Sequence, residues 1–348
     1  MEYRGVVYDV GLRFTIGEPY SIENFDPDLV AYDIQTISKK MHANAIRIEG
    51  EDIERLVKAS SFAKKEGLTI FFNPWKMNVP INDLYSYFKE AAIEAEKLRV
   101  DGANIIFVCG CEITLFNEGI FEGKNITERI QDLSNLAIKG TDEKEIKELI
   151  SQKNYLLNNT LKNILKEVRT FFKGSVTYSA GIWEMVDWDL FDIVGIDHYR
   201  SNESAEEYVD VLKRYPQNKS LVVMEVGCCA YKGAAILGSG GFMRLQGTNP
   251  DGTGIFQNND VPIRSETEQS EYIKEQIQLL SQTAVDGVFI YVFSFPTYRY
   301  GEGLRDLDMM SFSLVKTYPE DHPKSKNIPP WEPKKAFKTI SDMYINMK

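Results

Sequence analysis

Eight short, almost wholly apolar runs alternate with amphipathic segments along this chain, and the alternation predicts an α/β fold, a (β/α)8 barrel of the TIM type. The apolar runs are residues 5–11, 44–50, 68–75, 104–112, 175–181, 193–199, 221–227 and 287–295. Strands covered on both sides need near-continuous hydrophobicity rather than strict alternation, and these runs have it. The segments at 29–40, 53–65, 84–98, 155–172, 205–215 and 268–283 repeat apolar residues three or four apart, as helices that bury one face do. Polar or glycine-bearing stops, such as Lys65-Glu66-Gly67 and Asp101-Gly102, end a helix before the next strand enters.

Three stretches exceed ordinary connector length. They are residues 117–154 after the fourth strand, with an extra amphipathic helix, 239–264 after the seventh, and 296–333 after the eighth. A last helix is expected over 334–347. In a barrel these are loops over the face where chemistry is built. None is long enough to fold by itself, so residues 1–348 read as a single domain.

The formal net charge of −11 argues against nucleic acid or an anionic membrane as partner, since phosphate binding is driven by clustered Lys and Arg. No basic-apolar leader opens the chain, and no apolar run reaches the ~18 residues that span a bilayer, so a cytoplasmic location is expected. Cys109, Cys111, Cys228 and Cys229 all lie near two strand-end glutamates. Their spacing fits neither a disulfide framework nor the usual C-x2-C zinc pattern, so free thiols packed near a pocket are expected, with no metal and no cofactor.

Those two glutamates are the chemical signal. Glu112 closes the fourth run and Glu225 lies near the end of the seventh. A carboxylate ending an apolar run is costly to desolvate unless it faces a polar cavity. A parallel barrel gathers strand ends at one mouth, and paired carboxylates there are the equipment of glycosidic bond hydrolysis. For either glutamate alone, a structural ion pair is the competing reading.

In this arrangement the chain resembles clan A of the glycoside hydrolases, the (β/α)8 retaining glycosidases. In that clan the acid/base Glu ends strand four and the nucleophile Glu ends strand seven. Asn44-Ala-Ile-Arg47-Ile48 resembles the clan's strand-two motif, and the run from Phe191 through His198 to Tyr199 resembles its strand six. Residues 331–337, beginning at Trp331, look like its closing segment. The resemblance implies Glu225 as nucleophile, supported by Arg47 and Tyr199, and Glu112 as acid/base. On physical grounds Arg47 would lower the pKa of Glu225, while apolar neighbours would raise that of Glu112. The glutamate contexts 110–116 and 225–229 also resemble a poorly characterised bacterial group labelled "abortive infection protein", which implies a phage-defence role without showing one.

The chain departs from the clan in two places. Cys111 stands where an Asn usually contacts the sugar 2-hydroxyl, and a thiol is a poor substitute donor. Asn117-Glu118 restores the dipeptide six residues on, which makes Glu118 a rival acid in what reads as loop. The eighth run lacks the clan's Trp, so the sugar platform is expected from Trp75, Trp183 or Trp188, with Trp183 preferred and core packing the alternative for each. Asp9 and Glu184 are further candidates to bind hydroxyls. The function read from the sequence is retaining hydrolysis of a small β-linked glycoside. The alternatives are a metal-dependent sugar isomerase or epimerase using Glu112, Asp197, His198 and Glu225, and a non-catalytic sugar-binding barrel.

Overall fold

The structure, a computed structural model, describes residues 1–138 and 143–347. The first half of the chain runs β1 (Tyr3–Asp9), α1 (Pro27–Lys39), β2 (Ala45–Gly50), α2 (Ile53–Lys65), β3 (Thr69–Pro74), α3 (Leu84–Val100) and β4 (Ile105–Cys111). After β4 come α4 (Ile113–Phe116), α5 (Ile126–Ile138) and α6 (Glu143–Phe171). The second half contributes β5 (Val176–Gly181), β6 (Ile193–Asp197), α7 (Ala205–Asp210), β7 (Ser220–Val226), α8 (Glu266–Ser281), β8 (Gly287–Ile290) and α9 (Lys335–Asn346). The eight strands close in the order β1-β8-β7-β6-β5-β4-β3-β2, all parallel. Every apolar run of the sequence becomes one barrel strand.

Helix starts follow local chemistry. The Asp26 carboxylate accepts from the amides of Asp28 and Leu29, with Pro27 in the first turn, and Asp52 does the same for Glu54 and Arg55. The expected helix over 205–215 is only α-helical to Asp210 and finishes as a 3-10 turn, Val211–Arg214. Pro216 forces Tyr215 into an extended conformation and stops the helix. Conversely, α6 starts well before the expected residue 155. The loop at 239–264 carries a small hairpin, Leu245–Thr248 with Gly254–Phe256, and that at 296–333 another, Val315–Thr317 with Trp331–Pro333.

The lower lumen is filled by Val7, Ala45, Phe71, Ile106, Val108, Ile193, Val222, Met224 and Phe289, one apolar cluster contributed by seven strands. Period-two alternation from those residues would send Cys111 and Glu225 outward into the helix layer. Two bulges prevent this. On β4, Val108 pairs with Thr177 and Cys111 with Ser179, so β4 carries one extra residue. On β7, Val223 pairs with Ile196 and Glu225 with Asp197, which again leaves one extra residue, at Met224. Each bulge re-aims the residues beyond it toward the mouth. Gly110, at φ +105°, supplies the backbone conformation that the β4 bulge needs.

Above the barrel, the loop after β8 is tied to α8 and α9 by a buried ion network. Arg264 Nη1 donates to both oxygens of Asp306, at 2.9 and 3.0 Å, and Nη2 to Asp308 at 2.8 Å, while Lys334 holds Asp308 at 2.9 Å. Among the described residues no helix is long and apolar enough to cross a membrane.

Candidate active site

Arg47 is the centre of the polar floor. Alternation along β2 points Ala45, Arg47 and Glu49 into the lumen, and the guanidinium is fully buried. Its Nε donates to Asn73 Oδ1 at 3.1 Å, and Nη1 donates to Glu225 Oε1 at 3.0 Å and to the Met224 carbonyl at 3.1 Å. Nη2 lies 3.3 Å from Glu49, and Nη1 lies 3.7 Å from Asp197. One cation therefore answers three buried carboxylates. Burial pushes the carboxyls of Glu49 and Asp197 well above the usual range, and the Arg47 charge opposes that rise.

Glu225 is held from both sides. Besides Arg47 on Oε1, the Tyr199 hydroxyl donates to Oε2 at 2.8 Å. Beneath it, Asp197 accepts from Ser179 Oγ at 2.6 Å, and the Cys111 thiol lies 3.5 Å from Asp197 and 3.7 Å from Glu225 Oε1.

Glu112 follows β4 in the left-handed region, at φ 42° and ψ 47°. Its amide donates to the Ser179 carbonyl, which continues the β4–β5 register. Its carboxyl is partly exposed and accepts no hydrogen bond among the described residues. Burial first, then the charges of Asp197, Glu225 and Glu184, push it well above the usual carboxylate range, which favours its protonated form. The rival Glu118 is fixed elsewhere. Its amide donates to the Val79 carbonyl, its own carbonyl accepts from Ile81, and neighbouring Asn117 pins the carbonyls of Lys76 and Val79.

The other sequence candidates divide. Trp75 lies over Arg47, with the guanidinium 5.8 Å from the ring, edge-on to Phe116, and its buried Nε1 has no partner among the described residues. Trp183 is partly exposed; its Nε1 donates to Thr114 Oγ1 at 3.0 Å, and its ring lies where a Gly181 side chain would be. Trp188 packs in the core on Phe191 and Tyr215. Both oxygens of Asp9 are occupied by its own loop, through the Gly11 amide at 2.7 Å and Ser21 Oγ at 2.5 Å. His198 turns away from the lumen: Nε2 bonds the Tyr208 carbonyl at 2.8 Å and the ring stacks on Tyr208 at 4.1 Å.

The residues proposed as metal ligands therefore do not converge as a set. A different trio does: ligand atoms of Cys111, Asp197 and Glu225 lie within 4.8 Å of one another. Arg47 already stands against both of those carboxylates, and a divalent ion there would have to compete with its fixed charge. All four cysteines are free and buried, and of these Cys111 alone contacts the site carboxylates.

Sequence reasoning passed over Glu49, Asn73, Tyr178 and Ser179. Glu49 was findable, because it sits two positions after Arg47 on the same strand and so on the same face. Asp197 entered only as a metal ligand, whereas it forms the floor beneath Glu225.

Comparison with solved structures finds the same barrel in carbohydrate-active enzymes. A GH113 β-1,4-mannanase matches with 17% identity and a TM-score of 0.58, over 99% of both chains. The GH113 β-mannanase of Alicyclobacillus acidocaldarius matches with 14% identity and a TM-score of 0.59, over 99% of this chain and 98% of that one. The fold is theirs. A β-glucuronidase from Ruminococcus gnavus matches 99% of this chain through 49% of its own, with 15% identity and a TM-score of 0.56. No family model matches the sequence, and no curated protein matches it. The comparisons lend no support to the resemblance to the "abortive infection protein" group.

Proposed function

We propose that the protein is a retaining glycoside hydrolase acting on β-linked glycosides, with Glu225 as nucleophile and Glu112 as acid/base. The observation that carries this reading is the contrast between the two glutamates at one barrel mouth. Glu225 is ion-paired to Arg47 and hydrogen-bonded by Tyr199, whereas the Glu112 carboxyl is raised well above the usual range and accepts no hydrogen bond among the described residues. Double displacement needs one carboxylate fixed for attack and one carboxylic acid free to reach the leaving oxygen, and the two environments differ in that way. The β linkage is carried over from the enzymes with the same fold, a β-1,4-mannanase, a β-mannanase and a β-glucuronidase.

In the first step a Glu225 oxygen attacks the anomeric carbon while Glu112 gives its proton to the departing glycosidic oxygen. The product is a glycosyl ester on Glu225, with Glu112 now ionised. In the second step Glu112 takes a proton from water, the resulting hydroxide displaces Glu225, and both glutamates return to their starting states. Tyr199 and Arg47 keep the nucleophile in one orientation throughout, the partly exposed Trp183 offers an aromatic face, and no cofactor enters the cycle. The test is a panel of 2-deoxy-2-fluoro β-glycosides with dinitrophenyl leaving groups. A stoichiometric mass increase located on Glu225 is expected, and absence of labelling across the panel would speak for a non-catalytic barrel. Glu225→Gln should fold and be inactive; an active variant would overturn the nucleophile assignment.

A further inference from the structure

The backbone amides that begin α4 are satisfied from outside the helix. Glu112 occupies the N-cap position, yet its side chain caps nothing. Instead the Ile113 amide donates to the Tyr178 hydroxyl at 2.8 Å, and the Thr114 amide donates to Glu184 Oε1 at 3.1 Å. Tyr178 in turn donates to Glu184 at 2.9 Å, and Thr114 Oγ1 donates to Glu184 at 2.6 Å. The Gly181 amide adds a bond to Oε2 at 3.1 Å. A buried carboxylate with this many donors is a rigid hub. It joins the end of β5 to the turn that carries Glu112.

The left-handed conformation of Glu112 gives that hub a purpose. A non-glycine residue at positive φ costs on the order of 1–3 kcal/mol and persists only where its surroundings hold it. The first amides of a helix need acceptors from outside it. Here Glu184 and Tyr178 take those amides, and the Glu112 carboxyl is left free for the mouth.

Resting on the acid/base assignment made above, we propose that Glu184 is a positioning residue for Glu112, clamping its strained turn through Thr114 and Tyr178 and opposing loss of its proton. The groups facing Glu112 are Glu184 after β5, Asp197 on β6, Glu225 on β7, Cys111 beside it and Arg47 on β2. Those facing Glu184 are Tyr178, Tyr215, Thr114 and Glu112. Burial raises the Glu184 carboxyl to about 7. As pH rises past that value Glu184 becomes charged, and a like charge nearby makes it harder for Glu112 to ionise. The acid thus keeps its proton over the range in which it would otherwise begin to lose it.

The test compares Glu184→Gln with wild type on two β-glycosides, one with a poor alkyl or phenyl leaving group and one with dinitrophenol. General acid assistance is worth about 10²–10⁴-fold for a poor leaving group and little for a good one. In the variant, kcat/KM should fall at least ~10-fold on the poor leaving group and change less than ~2-fold on dinitrophenol. The alkaline limb of kcat/KM on the poor leaving group should move down by about half a pH unit or more. Fluoro-glycoside trapping at the wild-type rate shows that the variant is folded with its nucleophile intact. Thr114→Val, which removes one link and no charge, should reproduce the leaving-group effect with a smaller shift of the limb, and it decides the matter if Glu184→Gln does not fold. Equal losses on both substrates, or an unmoved alkaline limb, would overturn the role of Glu184 and leave the glycosidase reading standing. An active Glu225→Gln would remove both.

Discussion

Arg47 Nη1 stands 3.0 Å from Glu225 Oε1, although their strands, β2 and β7, are separated around the barrel by β1 and β8. The contact crosses the lumen above its apolar filling, and the same guanidinium answers Glu49 and Asp197. Removing it would leave a cluster of buried acids with no cation. Arg47→Met should therefore lose at least ~100-fold in kcat/KM and about 3 kcal/mol or more of stability at neutral pH, as broken buried ion pairs do. The acids can recover part of this by taking up protons. The deficit in Tm relative to wild type should accordingly be smaller at pH 5 than at pH 8, and a deficit independent of pH would contradict the shared-cation arrangement.

Tyr199 offers a narrower test, because its hydroxyl bond to Glu225 can be deleted without moving charge. Hydrogen bonds to charged groups contribute about 1.5–3 kcal/mol, which is roughly 10- to 100-fold in rate. Tyr199→Phe should lower kcat by that range with KM little changed and Tm nearly preserved. A change in KM alone would place Tyr199 in substrate binding instead.

The barrel was legible because its signal is distributed over eight strands and the helices between them, so no single misreading spoils it. Glu112, Glu225, Arg47 and Tyr199 were legible because each ends or lines a strand at a position that a barrel carries to the mouth. The rest depended on contacts without a local signature. That His198 faces α7 while Tyr199 faces the lumen depends on where β6 leaves the sheet. That Cys111 and Glu225 face inward depends on one extra residue in each of two strands, and alternation alone predicts the opposite face. Glu184 was visible as a carboxylate past a strand end, but its role comes from the conformation of Glu112 across the turn, which no run of residue types announces.

Cys111 provides a prediction about reactivity. Its thiol is buried, and burial together with the charges of Asp197 and Glu225 pushes its pKa well above that of a free cysteine. The reactive thiolate is thus scarce at neutral and mildly alkaline pH. Iodoacetamide at pH 8 should leave native activity and the Cys111 peptide essentially unmodified over a period that fully alkylates an exposed thiol. Rapid native alkylation of Cys111, read by mass spectrometry, would show that the floor beneath Glu225 is open to solvent.

The pH dependence of stability should run opposite to that of a protein held together by surface ion pairs. Asp33 shows why. It sits on the buried face of α1, accepts from Tyr8 at 3.0 Å and from Trp331 Nε1 at 2.8 Å, and burial raises its carboxyl to about 7. Asp9 is raised to about 6 and Glu184 to about 7 for the same reason. In the unfolded chain such groups titrate near ~4. Between about pH 4 and 7 the folded state consequently holds protons that the unfolded state has released, and stability falls as pH rises through that window. Tm should be higher at pH 5 than at pH 8. Asn at position 33 resembles the protonated acid in shape and charge, so Asp33→Asn should flatten part of the slope and stand closest to, or above, wild type at pH 8. Should Tm instead rise from pH 5 to pH 8, or the slope be unchanged in Asp33→Asn, these carboxyls do not keep their protons in the folded state.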